Sequence, residues 1–134
     1  MVARIRAHFA EHGFGYWVVE IAADGGFAGV LGFSVPRFEA HFTPCVEMGW
    51  RFLPSCWGRG YATEAGRAAI AFAFEQLRLA EIVSFTVPAN VRSRALMQRL
   101  GMVRDLAGDF EHPLLPEGHP LRRHVLYRLR RRED

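Results

Sequence analysis

VEMGWRFLPSCWGRGYATEAG, residues 46–66, changes its period halfway along, and that change decides how the rest of the chain is read. Residues 46–53 form an apolar, aromatic-rich run of strand character. Pro54 stops it, Gly58-Arg59-Gly60 makes a turn, and an alanine-rich helical pattern starts at Tyr61. A strand, a glycine-rich turn and a helix together make an anion site. The first N–H groups of a helix have no partner inside it and carry the positive end of its dipole, and glycines ahead of them let a ligand reach the backbone without meeting a Cβ. The spacing is not that of the common nucleotide motifs: Thr63 stands where Gly-x-Gly-x-x-Gly would place its third glycine, and no Gly-Lys-Ser/Thr ending is present. A tight strand-to-helix connection without a ligand is the alternative this stretch leaves open.

Composition narrows the class. The chain has 134 residues, half of them hydrophobic, which predicts a single domain over 1–134 burying roughly two-thirds of its unfolded surface. No apolar run approaches the roughly 20 residues that span a bilayer, and the start, MVARIRAHFAEHG, lacks a signal-peptide apolar segment. A soluble, cytoplasmic protein is expected. Two cysteines, Cys45 and Cys56, are too few for a disulfide framework or a paired-cysteine zinc site. All 17 basic residues are arginines, the formal charge is +3, and Arg128 and Arg130 to Arg132 crowd the end. That end reads as a solvated tail over 130–134 in preference to a nucleic-acid patch.

Outward from the opening stretch, residues 4–11 suit an amphipathic helix stopped by Gly13. Residues 16–22 and 27–35 read as a hairpin turning at Asp24-Gly25-Gly26, with Gly29 and Gly32 marking a bulge or a close contact. The helix after the glycine turn is expected over 61–78 and a short apolar strand over 81–87, which makes a parallel crossover. Asn90 is a plausible N-cap for a helix over 91–100 closed by Gly101. A strand begins at 102–104, a stiff loop with three of the seven prolines covers 109–121, and Arg123–Arg130 alternates as a last strand.

In this order of elements, VEMGWRFLPSCWGRGYATEA, VPANVRSRALMQRLGM and HVLYRL resemble the GNAT superfamily of acetyl-CoA-dependent N-acyltransferases, closest to its RimJ/RimL-like branch, from about Trp17 onward. The resemblance implies an α/β (α+β) acyl-CoA N-acyltransferase fold: a mixed central sheet with helices on both faces, here without the usual first strand and helix. It places the family's pyrophosphate loop on Ser55, Cys56, Trp57, Gly58, Arg59 and Gly60, running into Tyr61, Ala62 and Thr63. Ser55 departs from the Gln or Arg usual at the first position. It has the pantetheine arm pair with the strand backbone near Arg51, Phe52 and Leu53, with Asn90 reaching it from the far side; a plain helix cap is the other role open to Asn90. Arg59 either contacts phosphate or faces solvent.

The implied chemistry is direct attack of an amine on the thioester, which requires a proton to leave the ammonium first. Glu47 is the carboxylate positioned to take it, or else pairs with an arginine. The tyrosine that many members use to protonate the thiolate is replaced by Met97, which leaves Ser93 as the available hydroxyl. His112 and His119, in the proline-rich loop, are expected to shape the acceptor site. His124 reads as a structural strand residue, and none of the three has metal-ligand spacing. Cys56 has no identifiable base beside it. The short N-terminus leaves a sheet edge to be covered, so a homodimer or a fragment of a longer protein is expected. The leading reading is an acetyl-CoA-dependent N-acetyltransferase for a primary amine, on a protein N-terminus or a small molecule. A non-catalytic acyl-CoA sensor or partner-binding module is the alternative, and a nucleic-acid-binding domain ranks last.

Overall fold

A computed structural model describes residues 14–132. Within them lie seven strands and two helices of a mixed-sheet α+β fold: β1 (Tyr16–Glu20), β2 (Phe27–Ser34), β3 (Glu47–Phe52), α1 (Tyr61–Glu75), β4 (Glu81–Thr86), α2 (Val91–Arg99), β5 (Val103–Arg104), β6 (Phe110–Glu111) and β7 (Arg123–Arg130). The helix expected over residues 4–11 lies outside the described residues. The described residues divide into two compact units, 14–34 with 48–78, and 35–47 with 79–132.

The first unit is built on the β1–β2 hairpin. Asp24 Oδ1 accepts the Gly26 N–H at 2.7 Å, and Gly25 turns the chain at a φ of 71°. β1 ends at Glu20, two residues before the expected 22, because the register slips between Val19 and Glu20 as the turn begins. β2 is buried along most of its length, with Ala28, Leu31 and Phe33 all at 1% exposure or less. Trp17 stands edge-on to Phe33 and to Phe72 of α1, with ring centroids 6.0 and 5.5 Å apart. Gly29 has the close contact its position suggested: a Cβ there would run into the Arg51 carbonyl oxygen and stand 2.8 Å from Phe52 Cα. α1 buries Gly66, Ala69 and Ala73, a small-residue stripe that lets it approach β2. The helix stops at Glu75, not at 78. Gln76 and Leu77 both donate to the Phe72 carbonyl and Arg78 adopts a φ of 57°, a left-handed ending that no glycine announced.

In the second unit β7 is the hub. It pairs antiparallel with β4 from Glu81↔Arg130 to Thr86↔Val125, and also with β5 and β6. Glu47, at the head of β3, pairs parallel with Val83, as the expected crossover requires. Strand alternation then sorts the side chains. Glu47, Val83, Phe85, Phe110, His124, Leu126 and Arg128 share one face, while Ile82, Ser84, Thr86, Val125 and Tyr127 share the other. α2 lies on the second face, burying Leu96 and Met97.

Two sequence expectations change in this unit. The loop over 109–121 contains β6, and Arg122 pins its far end by donating from Nε to the Leu115 carbonyl and from Nη1 to Glu111. Nor is the arginine-rich end simply solvated. Arg128 bonds Glu81 and Asp105, and Arg130 bonds Glu81, so two of its charges belong to an ion-pair ladder on β7.

Candidate active site

The stretch between β3 and α1 supplies an anion cradle in the first unit. Pro54–Cys56 makes one 3₁₀ turn, then Gly58 and Gly60 take φ values of 73° and 79°. Both conformations favour glycine, and a Cβ at either residue would meet nothing within 4 Å, so these positions border open space. Gly60 is the N-cap of α1 and no side chain caps the turn; the first helical bond runs from Glu64 N–H to the Gly60 carbonyl. The N–H groups of Tyr61, Ala62 and Thr63 therefore stand at the positive end of the helix dipole. Arg59 is exposed and has no ion pair among the described residues. Trp57, 44% exposed, donates from Nε1 to the Phe52 carbonyl at 3.2 Å, which ties the loop to the end of β3 beside exposed Leu53. Ser55 is exposed, whereas Cys56 is buried, which removes it as an accessible nucleophile.

The second unit holds Glu47, Asn90, Ser93 and the histidines. The parallel ladder of β3 with β4 is confined to Glu47↔Val83, supported by Val83 N–H donating to the Val46 carbonyl at 3.0 Å. Burial, then the charges of Glu47 and Glu81, push the Cys45 thiol up to about 11, so this second cysteine stays protonated. On the opposite face Asn90 caps α2: its Oδ1 accepts the Ser93 N–H at 3.2 Å while its Nδ2 donates to Thr86 Oγ1 at 3.1 Å. One amide thus orients the start of the helix against β4. Met97 is 1% exposed and packs in the core. Glu47 and the Ser93-bearing helix consequently belong to opposite faces of the β4–β7 ladder.

Sequence reading missed two residues of this face, Arg94 and Tyr127. Arg94 donates to the buried Tyr127 hydroxyl at 3.3 Å and to the Pro88 carbonyl at 3.0 Å, fixing the turn that presents Asn90. No short-range pattern signals this pair, because the partners of Arg94 come from β7 and from the preceding turn.

The histidines separate. His119 shapes its own turn, its Nδ1 accepting the Leu121 N–H at 3.0 Å. His112 packs against His124, 5.0 Å between centroids, and against Phe38 at 4.6 Å. Phe85 and Phe110 complete this patch around His124 at 6.0 and 5.6 Å. Burial, and then the electrostatic influence of the neighbouring His124, lower the His112 pKa. His124, expected as a strand residue with a structural role, lies in β7 and packs in a ring cluster with His112.

Comparison with known proteins decides what the cradle belongs to. The family model for the acetyltransferase (GNAT) domain matches residues 1–103, which include β3, the glycine turn, α1, β4 and α2. The chain belongs to the GNAT acetyltransferase domain family. It is similar to the FsC-acetyl coenzyme A-N(2)-transacetylase of Aspergillus fumigatus, 42% identical over 95 residues, which make up 67% of this chain and 39% of that protein. It therefore spans well under half the length of that relative. Among solved structures, an acetyltransferase from Agrobacterium tumefaciens superposes with a TM-score of 0.73 at 29% identity, over 96% of this chain and 68% of the other. The ribosomal-protein-S5-alanine acetyltransferase of Vibrio fischeri shares the fold, with a TM-score of 0.74 at 20% identity over 93% and 66% of the two chains.

Within this GNAT domain the loop carrying Gly58 and Gly60 leads into the helix start that no side chain caps, and the described residues include no group of three or more His, Cys, Asp or Glu able to hold a metal ion. No described helix is long and apolar enough to cross a membrane.

Proposed function

We propose that this GNAT domain transfers the acetyl group of acetyl-CoA to the nitrogen of a primary amine, with both substrates bound together, as in the RimJ/RimL-like branch. The observation that carries the reading is the uncapped start of α1 behind two left-handed glycines, inside the region that matches the family. The N–H groups of Tyr61, Ala62 and Thr63, with Gly58, Gly60 and the Arg59 guanidinium, hold the pyrophosphate. Trp57 keeps the loop against β3, where the pantetheine arm pairs at Phe52 and passes Leu53 by side-chain contact alone, because Leu53 N–H already donates to the Ala28 carbonyl and the Leu53 carbonyl accepts from Cys56. Asn90 holds the arm from α2.

Glu47 takes a proton from the ammonium, directly or through water. The nitrogen lone pair attacks the thioester carbonyl, the C–N bond forms, the C–S bond breaks, and the CoA thiolate leaves. The adduct nitrogen gives up its second proton to water, and the thiolate takes one in turn through the Ser93 hydroxyl, which is reprotonated from water on its own face of the ladder; with a thiol pKa of roughly 8.5 the leaving group needs little help. Thiol release in the presence of acetyl-CoA and an amine tests the reaction. Tight acetyl-CoA binding without release from any amine would contradict it.

One observation favours a second reading, an acyl-CoA sensor. Met97 occupies the tyrosine position and is buried in the core, so it offers no proton. A sensor would gain stability from CoA without turnover.

A further inference from the structure

On the Glu47 face of the second unit, Phe38, Phe85, Phe110, His112 and His124 are all half-buried, whereas Phe42, Val83 and Leu126 are closed core. The two imidazoles are wired oppositely. His124 Nδ1 lies 3.1 Å from the Arg122 carbonyl, which can only accept, so this nitrogen carries the hydrogen and in the neutral ring Nε2 keeps a lone pair. His112 Nδ1 accepts the Leu114 N–H at 3.3 Å, so in the neutral ring Nε2 carries the hydrogen. Burial favours that neutral form. Among the described residues neither Nε2 has a protein partner. The patch therefore offers one acceptor and one donor on rings whose centroids are 5.0 Å apart, set among phenyl rings.

Charge points the same way. Asp109 and Glu111 flank Phe110, and both are neutralised: Asp109 by Arg104 and Arg123, Glu111 by Arg122. A polycation would find no unpaired carboxylate on β6, and an apolar neutral group would find rings.

We propose that this patch is the acceptor subsite, taking a primary amine carried on an apolar, preferably aromatic, group with a neutral amide beside it; the amide donates to His124 Nε2 and accepts from His112 Nε2–H. The inference rests on the transferase reading and names its substrate class. Glu47 shares the face, so base and subsite belong to one side of the β4–β7 ladder.

The test compares phenylalanine amide with glycine amide, two α-amines of similar basicity, and with spermidine, using acetyl-CoA and the full chain. Phenylalanine amide is expected to exceed both in kcat/KM by at least about tenfold. His124→Leu should raise its KM about tenfold, roughly one hydrogen bond's worth, with kcat and acetyl-CoA affinity little changed. His112→Asn is the second variant should the first fold poorly. Equal rates for the two amides, a preference for spermidine, or a His124→Leu effect confined to kcat would overturn the proposal. Titration of the CoA-loaded protein with phenylalanine amide, followed through the histidine ring resonances, separates the two readings. Shifts at His112 and His124 without turnover support the subsite while the transferase reading fails, and unmoved rings reject the subsite whatever the activity.

Discussion

Asn90 joins a helix cap to a strand contact through a single amide, and the two bonds can be removed separately. Asn90→Asp keeps the oxygen that caps Ser93 N–H and loses the donor to Thr86, whereas Asn90→Ala loses both. The alanine variant should lower stability by about 1 kcal/mol, measured as a shift in urea midpoint, and the aspartate variant by less. His112 gives a pH signature. Its pKa in the folded protein lies below the usual 6.5, so the unfolded chain binds the proton more readily. Its contribution to stability is complete above that value and is lost as pH falls through it, so the urea midpoint should drop on acidification across this window, and His112→Gln should flatten part of the drop. At this scale the sequence was informative where the signal is local. An asparagine before an apolar helical pattern announces a cap, but nothing near His112 says that His124, far along the chain, will pack against it.

β2, β3, the glycine turn and α1 show how far elements could be read. Their order and type come from period changes and from Pro54, Gly58 and Gly60, all visible in a short window. α1 stopping at Glu75 was not visible, because Arg78 takes the left-handed ending usually given to glycine. Nor was β6, two residues whose strand character comes only from pairing with His124 and Arg123. The glycines of these elements make contrasting predictions. Gly29→Ala drives a Cβ into the backbone of Arg51 and Phe52, and a loss of several kcal/mol or failure to fold is expected in denaturant melts. Gly60→Ala meets open space, so it costs only the left-handed strain of about 1–2 kcal/mol. Its larger effect should fall on acetyl-CoA affinity by calorimetry, at least about tenfold, because the new methyl group borders the phosphate cradle.

For the whole molecule, the fold class was legible because strand, turn, helix and strand recur in an order few architectures share, and the family match agrees with it. The chemistry was legible only in part. The proposed phosphate loop is a backbone feature written in glycines, whereas the ring patch proposed as the acceptor subsite gathers side chains from residues 38, 85, 110, 112 and 124, which no local pattern links. A ligand that binds only the folded chain stabilises it by mass action, so the melting temperature should climb steadily with acetyl-CoA concentration and continue past the dissociation constant. Stabilisation alone suits a sensor as well as an enzyme. Transfer is therefore the deciding measurement: thiol release from acetyl-CoA, tracked together with the mass of the amine product, over a panel of primary amines. The account predicts CoA thiol and N-acetylated amine in equal amounts, with the rate depending on the amine. Stabilisation by acetyl-CoA with no amine acetylated would contradict it.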